Sequence, residues 1–190
     1  MISARRAYAM LENETLWDVA RHCHELLESA KIPHAVIGGV AVCLHGYQRN
    51  TVDLDLLVRS TDTVAIRALL EEAGFKWSEE QAEFRSPSGT PVQLLLAGER
   101  AGPGSEVRLS DPSDKAIVIE REGLAVVTLS RLIESKLACG LGSLRRTHKD
   151  FADVVELIVA NRLGRSFARY LHRSVRETFR KLVINARDGG

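Results

Sequence analysis

The stretch from Val36 to Val58 constrains the fold of this chain more than any other part of it. It holds a short apolar run that ends at Ile37, two adjacent glycines, a second apolar run and then a pair of aspartates. The pattern predicts a strand, a glycine turn, a short helix and a second strand. Gly38 and Gly39 allow a sharp turn and leave the free N–H groups of the next helix uncovered, which is an arrangement that accepts phosphate oxygens.

The second predicted strand carries Asp53 and Asp55. Residues two apart on a strand point to the same side, so we expect both carboxylates on one face and Leu54 and Leu56 on the other. Two like charges held this close repel each other, and a divalent cation relieves the repulsion. Ligation by carboxylate oxygens suits Mg²⁺, which shares its coordination shell with water and substrate phosphates.

These residues resemble the signature of a known family. Gly38-Gly39 followed by Asp53-Leu54-Asp55 is similar to the glycine pair and Asp-x-Asp of the DNA polymerase β-like nucleotidyltransferase superfamily, and within it to the AbiEii-type abortive-infection toxins. A second block, residues 128–137 and 145–153, resembles a family helix that bears a lysine and a following Lys-Asp-x-x-Asp string. The resemblance covers about residues 34–157.

The resemblance implies transfer of a nucleoside monophosphate from a nucleoside triphosphate such as ATP to an acceptor hydroxyl, with Mg²⁺ or Mn²⁺ as cofactor. The acceptor would be RNA such as tRNA, a protein side chain or a small molecule, and toxin-like relatives favour the first two. Asp53 and Asp55 would hold the metal and, with Lys136, carry catalysis. The nucleotide-binding residues would be Gly38, Gly39, Arg49, Thr51, Lys149 and Asp150, with Arg145 and Asp153 beside them on the open side of the cleft.

Several of these residues also have a purely structural interpretation. Arg49 fits a surface loop, and Lys136 fits a lysine that extends from a half-buried helix to solvent. Thr147-x-x-Asp150 fits a capping box at the start of a helix. Lys149 and Asp153 stand at i,i+4 spacing, which suits an ion pair along that helix. The sequence leaves both interpretations open.

One position departs from the family pattern. A third carboxylate commonly lies on a strand beside the Asp-x-Asp pair, and here that position is Gln93. An amide cannot balance a second cation or act as a general base near neutral pH. Three alternatives remain: one metal suffices, another acid substitutes, or the protein binds nucleotide or RNA without reacting. The candidate substitutes are Glu83, Glu99 and Asp111.

The fold class predicted is α/β (α+β), with a nucleotidyltransferase-like mixed sheet, helices on one face and a helical C-terminal part. A length of 190 residues with 45% hydrophobic content suffices for one domain with a helical addition. We place the boundary between residues 1–127 and 128–190. The isolated cysteines support no disulfide or zinc framework, and His22 and His24 are interpreted as exposed histidines on a helix over residues 12–30.

No signal peptide or membrane span is expected, so the predicted location is the cytoplasm. Charge is unevenly distributed: residues 161–190 carry +6, whereas the whole chain carries +1. A single helix is predicted from about Ser166 to Ala186, with arginines at steps of three and four along one face. Such a stripe would bind RNA or an acidic partner protein. Its members are Arg162, Arg165, Arg169, Arg173, Arg176 and Arg180.

Overall fold

The computed structural model describes residues 14–188, within which helices and strands follow the predicted order. Predicted helix positions 12 and 13 lie outside the described residues. The α-helices are α1 Glu14–Ser29, α2 Gly38–Leu44, α3 Thr63–Glu72, α4 Leu129–Gly142, α5 Leu144–Ala160 and α6 Arg176–Asp188. The strands are β1 His34–Ile37, β2 Leu54–Val58, β3 Lys76–Ser78, β4 Glu83–Arg85, β5 Pro91–Leu96, β6 Val118–Arg121 and β7 Leu124–Val127. Three short 3-10 segments, Ser60–Asp62, Arg165–Tyr170 and Arg173–Val175, complete this list.

The strands form one seven-stranded sheet in the order β3-β4-β5-β2-β1-β7-β6. The sheet is mixed, because β1 and β2 pair antiparallel while β2 and β5, and β1 and β7, pair parallel. The two central strands carry the glycine turn and the aspartates. The predicted mixed-sheet fold is confirmed.

Helices lie on both sides of this sheet. On one side α1 contacts α3, and α3 lies beside Leu94 and Leu96 of β5. On the other side α4 lies beside Gln93 and Leu95. Side chains alternate along a strand. The residues of β5 that face α3 are therefore different from those that face α4. The helical C-terminal part therefore covers the face from which Asp55 projects.

Two predicted helix boundaries are wrong. The capping box at Thr147 is not formed, because α5 begins at Leu144 and the Thr147 hydroxyl instead donates to the carbonyls of Gly140 and Ser143 at 2.7 and 3.0 Å. The C-terminal segment is not one helix. Its chain is extended at Leu171, between two 3-10 segments, before α6 begins.

Tertiary contacts hold this break in place. The buried Glu134 carboxylate on α4 accepts a hydrogen bond from the backbone N–H of His172. The Arg176 guanidinium donates to the Leu171 carbonyl at 2.8 Å. Leu171 and Val175 are buried. Burial of these apolar groups and satisfaction of the freed backbone atoms outweigh the helical periodicity of the sequence.

Within residues 14–188, no helix is long and apolar enough to cross a membrane.

Candidate active site

The glycine turn is shaped by the side chains that approach it. Gly38 has φ +68°, and a Cβ atom there would lie 1.8 Å from Oδ2 of Asp55. A Cβ atom on Gly39 would lie 2.4 Å from the hydroxyl oxygen of Thr51. The glycines are therefore required by close contact with the aspartate strand, and Gly38 also by its left-handed backbone.

The two aspartates line one cavity with Gly38. Asp53 directly precedes β2 and accepts a hydrogen bond of 2.7 Å from the Thr51 hydroxyl. Asp55 pairs with Ile37 across β1 and β2, which brings its carboxylate to the end of β1 where the glycine turn begins. Leu54 and Leu56 are fully buried in the apolar core.

Asp55 is in an environment that disfavours its charged form. Burial, and after it the negative charge of Asp53, raise the pKa of the Asp55 carboxyl to about 6, although Lys136, Arg146 and Lys149 lower it in part. A bound divalent cation would remove this repulsion. The donor set of carboxylate oxygens, open to a cavity of about 280 Å³, fits Mg²⁺ or Mn²⁺.

Gln93 lies where the third acid of the family was expected. It is paired with Asp55 in the parallel register of β2 and β5, and it lines the same cavity. Its amide nitrogen donates to Oε2 of Glu83 at 3.2 Å. Glu83 is buried on β4, and its other oxygen is 2.6 Å from a guanidinium nitrogen of Arg85.

Of the three candidate substitutes for the third acid, Glu83 is the one that contacts Gln93. Glu99 lines a different cavity beside Leu94 and Leu96. The Asp111 carboxylate accepts from the backbone N–H of Ser113 in its own loop. Glu83 therefore lies next to Gln93, and its carboxylate accepts a hydrogen bond from the Gln93 amide group.

An ionic cluster, buried except for Arg146, forms another wall of the site. Lys136 extends from α4, and its ammonium is 3.0 Å from Oδ1 of Asp150 and 2.7 Å from Oδ2 of Asp153. Arg49 approaches Asp153 with Nε at 2.7 Å and a terminal nitrogen at 3.1 Å. Arg146 binds Asp150 at 3.1 Å. These five residues are called the ionic cluster below.

The ionic cluster changes the interpretation of several predicted site residues. Lys136 does not extend to solvent, because its side chain is only 6% exposed. Asp153 pairs with Lys136 and Arg49 rather than with Lys149, so the predicted i,i+4 pair is wrong. Asp150 is fully buried between two cations rather than capping a helix.

The predicted residues divide into two groups by position. Those that line the cavity are Gly38, Asp53, Asp55, Gln93, Lys136 and Asp150. Gly39, Arg49, Thr51 and Lys149 are not among the lining residues. The side chains of Thr51 and Arg49 lie next to the backbone of Gly39, and Lys149 is exposed on α5. Arg145 is also exposed on α5.

Arg146 is a lining residue that sequence reasoning missed. Because the helix was expected to start at Thr147, Arg146 fell in a linker with no defined direction. With α5 beginning at Leu144, Arg146, Asp150 and Asp153 recur at helical spacing and share one face. The loop after β5 also contributes to the cavity, through Ala101, Gly102 and Pro103.

The predicted arginine stripe is not continuous. Arg169 stacks on the ring of Tyr170 at 4.7 Å, Arg173 is 3.5 Å from Glu106, and Arg176 is bound to backbone carbonyls. Because the segment contains the break at Leu171, Arg165 and Arg180 belong to different elements. The prediction of one helical face is wrong.

Comparison with known sequences identifies the family. The sequence model of the aminoglycoside-2''-adenylyltransferase family matches residues 20–123, more than half of the chain. The chain belongs to this family. It is therefore a nucleotidyltransferase, and the matched residues include the glycine turn, both aspartates and Gln93. A search of curated protein sequences finds no significant match.

Solved structures share the nucleotidyltransferase fold with this adenylyltransferase-family chain. The crystal structure of ANT(2'')-Ia in complex with adenylyl-2''-tobramycin is similar with a TM-score of 0.55 and 12% identity, covering 86% of this chain and 93% of the other. The solution structure of the antibiotic-resistance factor ANT(2'')-Ia gives 0.50 and 14%, covering 92% and 94%. A nucleotidyltransferase structure from H. pylori gives 0.51 and 18%, covering 93% and 80%.

Proposed function

We propose that this protein transfers a nucleoside monophosphate from a nucleoside triphosphate to a hydroxyl group of a small acceptor, with Mg²⁺ or Mn²⁺ as cofactor. The observation that supports this most directly is the contact between the Asp55 carboxylate and the Gly38 backbone, with Asp53 on the same cavity. That contact brings anionic metal ligands next to a backbone corner that lacks side chains. A metal–polyphosphate complex needs both of these features.

Asp53 and Asp55 would hold the metal, and Gln93, which pairs with Asp55 on the neighbouring strand and lines the same cavity, offers a neutral oxygen ligand. Glu83 accepts a hydrogen bond from the amide nitrogen of Gln93, and the amide oxygen is the atom of Gln93 that could bind a metal. When bound, the metal would neutralise charge on the phosphates and on the leaving group. The backbone N–H groups at Gly38 and Gly39 would bind the triphosphate.

The cationic residues take different roles in this proposal. Arg146 lines the cavity and Lys149 is exposed on the same helix, and both positive charges act on Asp55. They would bind the outer phosphates. Lys136 and Arg49 are held by carboxylates, so we propose that they position Asp150 and Asp153 and set the positive potential of the wall. Thr51 would orient Asp53 through its hydrogen bond.

The reaction forms a bond between the acceptor hydroxyl oxygen and the α-phosphorus of the nucleotide. The bond from that phosphorus to the oxygen bridging to the β-phosphate breaks, and pyrophosphate leaves with the electron pair. The hydroxyl proton passes to water or to a basic group of the acceptor, because the Gln93 amide cannot accept it near neutral pH.

A small acceptor suits the size of the site. The cavity has a volume of about 280 Å³, slightly below the range of about 300–1,000 Å³ that is usual for small-molecule sites. The loop after β5 is pressed onto α4, since a Cβ atom on Gly102 would lie 2.4 Å from the carbonyl oxygen of Ala138. This loop narrows access for a large acceptor. The family adds support for an aminoglycoside, as in the ANT(2'')-Ia complex with adenylyl-2''-tobramycin.

The experiment is transfer of label from each of the four α-³²P-labelled triphosphates, with Mg²⁺, to a panel of acceptors. The panel contains tobramycin, other aminoglycosides, tRNA and a bacterial lysate protein fraction. We expect labelled aminoglycoside, and loss of about a thousandfold or more in rate in Asp53→Asn. Asp18→Asn, an exposed carboxylate on α1, is the matched control. Undiminished transfer by Asp53→Asn would contradict the proposal.

Two further acceptor classes come from the resemblance to AbiEii-type toxins. Label on tRNA or on protein, with none on aminoglycosides, would favour an RNA- or protein-modifying toxin of a toxin–antitoxin or phage-defence system. The engaged arginines Arg169, Arg173 and Arg176 give that alternative less support than an open stripe would.

A second candidate function, nucleotide binding without transfer, is favoured by Gln93. Calorimetry with each nucleotide and Mg²⁺, followed by the transfer assay, separates it from catalysis. Gln93→Asp places a third carboxylate beside Asp55 and is expected to tighten metal binding and raise transfer. Nucleotide binding with no transfer in either wild type or Gln93→Asp would favour the binding function.

A further inference from the structure

A second cluster of ligating side chains lies at the opposite end of β1 from the candidate active site. His34 begins β1 and pairs with Val58, whereas Ile37 ends it and pairs with Asp55. The cluster consists of His24 and Glu28 on α1 together with His34. One potential ligand atom from each of the three side chains lies within 4.8 Å of the others, in the part of the chain that the structure describes.

The two histidines are already in direct contact. Nδ1 of His24 is 2.8 Å from Nε2 of His34, and Nδ1 of His34 is 2.8 Å from the carbonyl oxygen of Ile32. Because a carbonyl can only accept, Nδ1 of His34 carries a proton and donates it. In the neutral ring, Nε2 of His34 is then a lone-pair acceptor, and His24 supplies the proton between the rings.

This arrangement is typical of a metal-binding histidine. One ring nitrogen donates to a backbone carbonyl, which sets the tautomer and orientation, and the other nitrogen presents its lone pair. Glu28 is one helical turn after His24, so both side chains leave the same face of α1. The chain reverses at Lys31, which has φ +56°, and so returns His34 to that face.

We propose that His24, Glu28 and His34 form a binding site for a divalent transition-metal ion such as Zn²⁺. The ligands are Nδ1 of His24, Nε2 of His34 and a carboxylate oxygen of Glu28. Zinc–nitrogen bonds of 2.0–2.1 Å in tetrahedral geometry separate two nitrogens by about 3.3 Å, so the rings need to move apart by about 0.5 Å. The ion replaces the proton that the rings share, and His24 moves its proton to Nε2.

The site leaves one coordination position open. The three residues line a cavity of about 850 Å³ with the loop before β6 and the β6–β7 hairpin. Three protein ligands and an open fourth position are typical of zinc sites that bind water or an exogenous ligand. Lys115 and Glu120 line the same cavity, and water would complete the coordination.

This site and the aspartate pair differ in their ligand atoms, and therefore in the metal ions that they favour. Two imidazoles and one carboxylate favour Zn²⁺, Co²⁺, Ni²⁺ or Cu²⁺, whereas carboxylates alone favour Mg²⁺ or Mn²⁺. The sequence interpretation of His24 as an exposed helix histidine is wrong, because its ring is half-buried against His34. The signal that would have indicated the site from sequence is Glu28, which follows His24 by four residues.

The test is titration of metal-free protein with Co²⁺, followed by visible spectroscopy and by competition with Zn²⁺. The background carries Asp53→Asn and Asp55→Asn, so that the aspartate pair does not contribute. We expect one equivalent of Co²⁺ bound at micromolar or lower concentration, with the intense d–d absorption of four-coordinate Co²⁺. His24→Ala is expected to weaken binding by about a hundredfold and Glu28→Gln by about tenfold.

His22→Ala is the matched control, since His22 is exposed on the same helix and stacks on Phe75 instead. It is expected to bind Co²⁺ as the background does. His24 is half-buried and Glu28 is exposed, so both variants are expected to keep the far-ultraviolet circular dichroism of the background. Absence of Co²⁺ and Zn²⁺ binding, or equal binding by His24→Ala, would overturn the proposal.

Discussion

At the scale of single residues, the glycine pair and the aspartate strand depend on each other. Gly38 is needed both for its backbone angle and because the Asp55 carboxylate occupies the space of a side chain. Gly39 is needed because the Thr51 hydroxyl occupies the space that a Cβ atom on Gly39 would take. The pattern of two glycines followed by Thr-x-Asp-x-Asp therefore describes one packed corner.

Gly38→Ala tests this dependence. The added methyl group collides with Asp55 in addition to the penalty of φ +68°, so we expect a loss of about 3 kcal/mol or more in the free energy of unfolding, measured with urea. Gly104→Ala is the control, because Gly104 has the same φ of +68° and no atom within 4 Å of its added Cβ. It is expected to lose about 1 kcal/mol. Equal losses would show that Asp55 does not press on Gly38.

Asp55 also predicts a pH dependence of stability in the metal-free protein. Burial and Asp53 raise its pKa from 3.8 to about 6 on folding, so the folded state binds its proton more tightly than the unfolded state. The stabilisation from this proton is complete below pH 4 and is lost as pH rises through 6. It amounts to about 3 kcal/mol at most.

Asp55→Asn removes this titration. In EDTA at pH 7.5 we expect the variant to unfold at higher urea concentration than wild type, by about 2 kcal/mol in free energy. At pH 3 the difference is expected to vanish, because the wild-type carboxyl is then largely protonated in both states. Asp18→Asn is the control and is expected to show no such pH-dependent gain. A variant less stable than wild type at pH 7.5 would contradict the raised pKa.

At the scale of elements, the ionic cluster joins α4 and α5 to the connector before β2. Lys136 comes from α4, Asp150 and Asp153 from α5, and Arg49 from the connector. Removing Lys136 leaves Asp150 with Arg146 and Asp153 with Arg49, so two buried carboxylates share less positive charge in a medium that solvates them poorly. The cluster thus keeps the helical part in register with the strand that bears the aspartates.

Lys136→Met is expected to lower the free energy of unfolding by about 3 kcal/mol or more, because Asp150 and Asp153 lose their shared cation. Chemical denaturation monitored by circular dichroism measures this. Lys181→Met is the control. Lys181 is exposed and 2.9 Å from the exposed Glu177, and its loss is expected to cost less than about 0.5 kcal/mol. Similar losses in the two variants would mean that the cluster adds no stability.

At the scale of the whole molecule, one apolar core extends from Leu16 on α1 to Val183 on α6. Phe179 on α6 is fully buried, with its ring 5.6 Å from that of Phe167. The predicted division into residues 1–127 and 128–190 therefore crosses a continuous core. We expect the two parts to unfold together.

Unfolding followed by two probes tests this expectation. Fluorescence of Trp17 and Trp77 reports on residues before 128, while circular dichroism at 222 nm reports strongly on the C-terminal helices. The transitions are expected to coincide, and Phe179→Ala is expected to shift both equally, by about 3–5 kcal/mol. Ile184→Ala, at a partly exposed position on the same helix, is expected to cost less. Separate transitions would instead support two domains.

Local patterns were sufficient for most of the fold. Apolar runs and the glycine pair predicted β1, α2 and β2. The resemblance placed Gln93 beside Asp55, and the register of β2 and β5 confirms that placement. The start of α5 and the break at Leu171 were missed, because contacts with α4 decide both.

The sequence by itself determined the order of elements and placed Asp53 and Asp55 on the same side at the start of β2, since these depend on periodicity over a few residues. Only the tertiary structure decided which charges face the cavity. Arg49 and Asp153 are 104 positions apart and pair because the fold places them together. In a buried site, each charge needs a nearby partner, and no local pattern specifies a partner that distant.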